Sequence, residues 1–127
     1  MMRSKYKNRK VVTAEGVFDS VHEYQRYLEL KIMERAGRIS DLQRQVKYEL
    51  LPAIYETYER YSEKTGKRLK NGRKLIEHGV SYVADFVYKD LETGQTVVED
   101  AKGVRTDDYI IKRKMMLRFH GIKIREV

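Results

Sequence analysis

Two strand-like strings joined by one short turn constrain this chain more than any other feature. Tyr82-Val83-Ala84-Asp85-Phe86 and Val97-Val98-Glu99-Asp100-Ala101-Lys102-Gly103 are dense in β-branched and aromatic residues, and each is closed by turn residues. Between them lies Asp90-Leu91-Glu92-Thr93-Gly94-Gln95. A hairpin loop over Leu91 to Gly94 sets Asp90 opposite Gln95, and counting back along both strands places Asp85 opposite Asp100. The period of two puts Lys102 on the same face, with Val83, Val87 and Val98 as its apolar part. Opposed strand residues have Cβ atoms about 4.5–5.5 Å apart, which is unfavourable for two bare carboxylates but suits a shared divalent cation. A solvated outer face, with Lys102 bridging both carboxylates, satisfies the same spacing.

The rest of the chain supplies elements around this pair. Val11 to Phe18 reads as a small hairpin turning at Glu15-Gly16. Ser20 is placed to cap a helix that runs to about Ala36 and stops at Gly37. Its apolar residues form two stripes, Val21, Tyr24, Leu28 and Ile32 on one and Tyr27 and Leu30 on another, so cover on more than one side is expected. Ile39 to Leu51 alternates at Val46, Tyr48 and Leu50 and reads as a core strand ended by Pro52. Tyr55, Tyr58 and Tyr61 then recur every third residue. After them Lys67, Arg68, Lys70, Arg73 and Lys74 form a basic stretch with the character of an exposed loop or ribbon. Beyond the two strings, Thr106-Asp107-Asp108 opens a second helix extending to about Phe119 and ending at Gly121, and Ile122 to Val127 closes the chain as a strand. The expected class is α/β, in the order α-β-β-β-α-β, with a mixed central sheet flanked by helices.

At 127 residues the chain has the size of one domain. Its formal net charge of +8 favours a polyanionic partner without naming one. The absence of cysteine excludes disulfides and thiolate metal sites and suits a reducing cytosol. Met1 to Lys10 is basic and lacks the apolar stretch of a signal peptide or a membrane span, so a cytoplasmic protein with no membrane partner is expected. His22, His78 and His120 have no ligand spacing.

Asp85 followed by Asp100-x-Lys102, in this element order, resembles the restriction-endonuclease-like superfamily named for its PD-(D/E)-x-K motif. More narrowly, Phe18-Asp19-Ser20-x-x-Glu23, Gly37-x-Ile39-x-x-Leu42-x-x-Gln45, Tyr82-x-Ala84-Asp85-Phe86 and Val98-Glu99-Asp100-x-Lys102-Gly103 are similar to a small phage-associated nuclease family long catalogued as a domain of unknown function. The likeness runs from about Tyr6 to the end. It implies one nuclease domain over 1–127, with a basic arm at 1–10 and an insertion at 54–76. Ala84 stands where the motif's name has proline, a position that is often variable.

The resemblance implies Mg²⁺, with Mn²⁺ able to substitute, held by Asp85 and Asp100, with Glu23 as a further ligand and Lys102 orienting the attacking water. Ser20-x-x-Glu23 also fits a capping box, in which the glutamate only bonds the cap. Gln45 matches a glutamine near the metal of related resolvase-like enzymes, and an ordinary polar strand residue fits equally. Lys112, Arg113 and Lys114 on the second helix, with Lys67, Arg68, Arg73 and Lys74, are candidate DNA contacts, against the simpler reading of solvated charge. The implied activity is DNA phosphodiester hydrolysis by an endonuclease selective for branched or junction DNA. It would act in phage recombination, repair or packaging in a bacterial host, as a homodimer if two strands are cut symmetrically. The alternative is a non-catalytic DNA-binding or assembly subunit that keeps the nuclease fold.

Overall fold

Short strands β1 (Val11–Thr13) and β2 (Gly16–Phe18) pair antiparallel at the start of the chain. The computed structural model describes residues 9–127, so the basic arm expected over 1–10 lies almost wholly outside them. Thr13 pairs with Gly16, which moves the turn from Glu15-Gly16 to Ala14-Glu15. Helix α1 (Val21–Arg35) follows, and the Ser20 hydroxyl accepts the Glu23 amide as its N-cap. Gly37 takes the left-handed conformation past its end at φ +74°, where a side chain would be strained.

Only Glu23 and Leu30 of α1 are buried, with Tyr27 and Met33 half-buried beside the core. Cover on two sides is therefore wrong for this helix: Val21, Leu28 and Ile32 face outward, Ile32 at 66% exposure. The second stripe is the one that packs. Phe18 joins it through its ring contact to Tyr27 and also meets Tyr24, the one residue of the first stripe that turns inward.

Strand β3 (Ile39–Leu51) pairs antiparallel with β6 (Val80–Asp90), β6 with β7 (Thr96–Asp100), and β7 runs parallel to β8 (Arg125–Glu126). The result is a mixed four-stranded sheet in the order β3-β6-β7-β8. Phe86 and Tyr88 pack with Leu30 and Ile39 on the α1 side. Val87 and Val98 pack with Leu50, Tyr109 and Met116, the last two from α2 (Asp107–Met115) and the turn after it. Both faces are thus covered, which is why the strands carry apolar residues at adjacent positions as well as alternate ones. Val83 is the exception to the expected apolar face, at 43% exposure.

Thr106 caps α2, and a π-helical turn over Met116–His120 completes it before Gly121 at φ +66°. The closing strand is shorter than Ile122 to Val127, with only Arg125 and Glu126 paired. The stretch expected as an insertion is an ordered antiparallel ribbon, β4 (Ile54–Tyr61) and β5 (Arg68–Glu77), that pairs with no other strand among the described residues. Tyr58 faces Gly72 across it and covers that glycine with its ring, leaving no room for a side chain there. The three-residue spacing of the tyrosines places Tyr55 and Tyr61 on one face and Tyr58 on the other. Among the described residues, no helix is long and apolar enough to cross a membrane.

Candidate metal centre

The β6–β7 register sets the site. Phe86 pairs with Glu99, Val87 with Val98 and Lys89 with Thr96, and the Asp90 amide donates to the Gln95 carbonyl at 2.8 Å. That register carries Asp85 and Asp100 to facing positions, as the loop length predicts. Pairing of the two strands ends at Phe86 and Glu99, one step short of the two aspartates, and the Ala101 amide turns to donate to Asp85 Oδ2 at 2.9 Å. The other oxygen, Oδ1, lies 3.4 Å from Gln45 Nε2.

Gln45 sits between Arg44 and Val46, which pair with Phe86 and Ala84, yet its own backbone is left-handed at φ +53°. Such a conformation costs a non-glycine residue on the order of 1–3 kcal/mol and persists only where surrounding structure enforces it. Its amide donates to Glu23 Oε1 at 2.9 Å, so one side chain links the helix carboxylate to the strand carboxylate. Glu23 is 2% exposed and also accepts the Asp19 amide on Oε2 at 2.9 Å. It therefore both restrains the helix entry and joins the acidic group. Arg44, stacked 3.6 Å over the Phe18 ring, reaches within 3.8 Å of it.

Carboxylate oxygens of Asp19, Glu23 and Asp85 all lie within 4.8 Å of one another. Asp19 was legible in the sequence only as the residue before a helix cap; its place in the cluster depends on how α1 docks on β6. Asp100 stands across from Asp85 and is 1% exposed. The Tyr82 hydroxyl donates to its Oδ2, while the buried Oδ1 has no hydrogen-bond partner and faces Lys102 Nζ at 3.2 Å. Lys102 lies over the Tyr109 ring at 4.5 Å and is partly exposed. A cleft of about 180 Å³ is lined by Asp19, Glu23, Asp85 and Lys102, with Asp100 buried behind its wall. A larger depression of about 450 Å³ beside Arg38 and Leu91 lies away from this chemistry, and its Arg26 and Arg125 already bond Glu99 and Tyr88.

Burial first, and then the charges of Asp100 and Glu23, push the Asp85 carboxyl up to about 7 from its ordinary 3.8. Burial likewise raises Glu23. Crowded acids, all-oxygen donors and a buried Asp100 oxygen that meets only the Lys102 ammonium suit a hard divalent cation such as Mg²⁺. Folded Asp85 holds its proton more tightly than the unfolded chain does. In EDTA, stability is therefore expected to fall as pH rises from about 4 to about 8, with the cost from Asp85 complete above its folded pKa. Asp85→Asn flattens this slope and melts higher than wild type at pH 8. Superimposable melting-temperature profiles of the two proteins across that range would refute the assignment.

Of the expected DNA contacts, Arg113 is engaged with Glu126 at 3.0 Å, and Lys112 and Lys114 lie beside different clefts of α2. Lys67, Arg68, Arg73 and Lys74 are on the ribbon and its turn, apart from the acidic cluster, with Arg73 stacked 3.8 Å over Tyr55. A family model described as a protein of unknown function (DUF1064) matches residues 3–127. The chain belongs to this family. No curated protein and no solved structure matches it. In this DUF1064 chain the geometry therefore carries the functional argument, and it brings together Glu23, Gln45, Asp85, Asp100 and Lys102.

Proposed function

We propose that the chain is a metal-dependent DNA endonuclease with a restriction-endonuclease-like core, acting on branched or junction DNA. The observation that carries this reading is Asp85, placed opposite Asp100 on one side and beside Asp19 and Glu23 on the other, with Lys102 at the rim. A purely structural strand pair has no use for so many carboxylates, since buried charge is costly unless it is paired or bound. Asp85 and Asp100 would hold Mg²⁺ or Mn²⁺, with Glu23 and Asp19 as further ligands. Bound there, the cation supplies Lewis-acid polarisation of the phosphodiester and a more acidic water.

The chain's own residues do the rest. Gln45 fixes the Glu23 and Asp85 carboxylates relative to each other, and Tyr82 fixes one oxygen of Asp100. The Lys102 ammonium, at the rim beside Asp100, would donate to the attacking water or to a phosphate oxygen as charge develops there. Cutting two strands symmetrically would need two copies of the chain. The setting proposed is phage DNA recombination, repair or packaging in the host cytoplasm.

The test is a gel assay with a four-way junction, a flap, a linear duplex and single-stranded DNA, each in Mg²⁺, Mn²⁺ or EDTA. Cleavage in either metal, none in EDTA and a preference for the junction are expected. Binding without cleavage of any substrate would replace the enzyme by a DNA-binding or assembly subunit.

A further inference from the structure

The β4–β5 ribbon is the outer end of a long hairpin. Pairing of β3 with β6 ends at Leu51 and Val80, and pairing of β4 with β5 begins at Ile54 and Glu77. The interruption is Pro52, which has no amide hydrogen, and Gly79, where a side chain would crowd the Leu51 carbonyl. The ten residues of β5 span roughly 30 Å at the rise of a strand. Every residue of both strands except Gly72 is exposed. An isolated two-stranded hairpin is marginal in water, so a ribbon of this length without cover calls for a partner.

Its charges name the partner. Acidic Glu56 and Glu59 lie on β4, whereas the run from Lys67 through Ile76 carries Lys67, Arg68, Lys70, Arg73 and Lys74 and no acid. Of these, Arg68 leans toward Glu59 at 3.9 Å; Lys67, Lys70 and Lys74 have no ion pair among the described residues. One long edge of the ribbon is thus cationic, and a two-stranded ribbon matches the width of the B-DNA major groove.

We propose that the β4–β5 ribbon is a DNA-binding arm that lies along or in the major groove of a duplex beside the cleft, with β5 as its phosphate-contacting edge. From Asp85 back to Arg73 the chain path is about a dozen residues, at most roughly 40 Å, and back to Lys67 about eighteen, at most roughly 60 Å. The arm therefore reaches DNA between about one and two helical turns, of about 34–36 Å each, from the phosphate at the acidic cluster. That position of the cut rests on the proposed nuclease reading; the contact of arm with DNA does not.

The test compares wild type with the triple variant Lys67→Gln, Lys70→Gln, Lys74→Gln. Binding to a duplex of about forty base pairs is followed by fluorescence anisotropy in EDTA over a salt series, with footprinting alongside. Each lost phosphate contact is expected to make the slope of log Kobs against log salt shallower by about 0.9. Protection should shrink by about one helical turn at one end of the footprint. Equal affinity and equal slope for the two proteins would overturn the arm. So would a change of sedimentation behaviour with an unchanged slope, since the ribbon would then meet a second copy of the chain. Binding in EDTA does not depend on hydrolysis, so failure of the arm and failure of the nuclease show themselves in different assays.

Discussion

Asp100→Asn is expected to abolish metal-dependent cleavage and leave the fold intact. The loss should be on the order of a thousandfold or more, about 4 kcal/mol of transition-state stabilisation, because on the proposed reading the variant removes an anionic ligand at the point where the cation would be held. Stability should move the other way. The carboxamide that replaces the carboxylate retains an acceptor for the Tyr82 hydroxyl, and the variant gives up only the ion pair to the partly exposed Lys102. It also relieves the repulsion that helps to raise Asp85. In EDTA at pH 8 the variant is expected to melt at or above the wild-type temperature, and the upward shift that Mg²⁺ gives the wild type should vanish. Paired melts with and without Mg²⁺, together with the cleavage assay, check all three outcomes. An Asp100→Asn protein that unfolds in EDTA would make the carboxylate a structural group and sink the metal assignment.

The parts of this site that were legible in the sequence are those set by short-range geometry. One loop length gave the β6–β7 register, and with it the facing of Asp85 and Asp100, because a hairpin loop fixes pairing for the whole strand. The caps of α1 and α2 followed equally from local hydrogen bonding by Ser20 and Thr106. What stayed hidden depends on tertiary contact or on backbone choices that carry no residue signature. Gln45 is left-handed without being glycine, and nothing near it in sequence announces that. Asp19 becomes part of the acidic group only when α1 docks, and the outward turn of Val21, Leu28 and Ile32 is decided by the same docking. The burial of Glu99 has no sequence signature either: it is 0% exposed because α1, through Arg26, covers that face.

Glu99 and Asp100 are neighbours on opposite faces, and the contrast between them yields the largest stability effect. Arg26 on α1 clamps Glu99 with Nε and Nη2 at 2.9 and 2.7 Å, and the Tyr88 hydroxyl donates to the same carboxylate. Every oxygen of the Glu99 carboxylate is satisfied, which leaves nothing for a cation; Asp100 keeps one oxygen without a hydrogen bond. The bond to Glu99 raises the Arg26 guanidinium further above its already high range. Removing one partner of such a pair strands a buried charge, so Arg26→Met is expected to cost about 3–5 kcal/mol of folding stability. Glu99→Gln keeps an acceptor for Tyr88 and removes the charge. Adding it to Arg26→Met should therefore recover most of the loss, since neither member of the altered pair is then ionised. Denaturant unfolding in EDTA at pH 7 measures all three variants without interference from metal, and the Mg²⁺-induced rise in melting temperature should persist in the double variant. Equal losses in the single and double variants would mean that Arg26 acts by packing rather than by neutralising Glu99. A lost Mg²⁺ response in the double variant would mean that the two neighbouring carboxylates do not divide structure from chemistry between them.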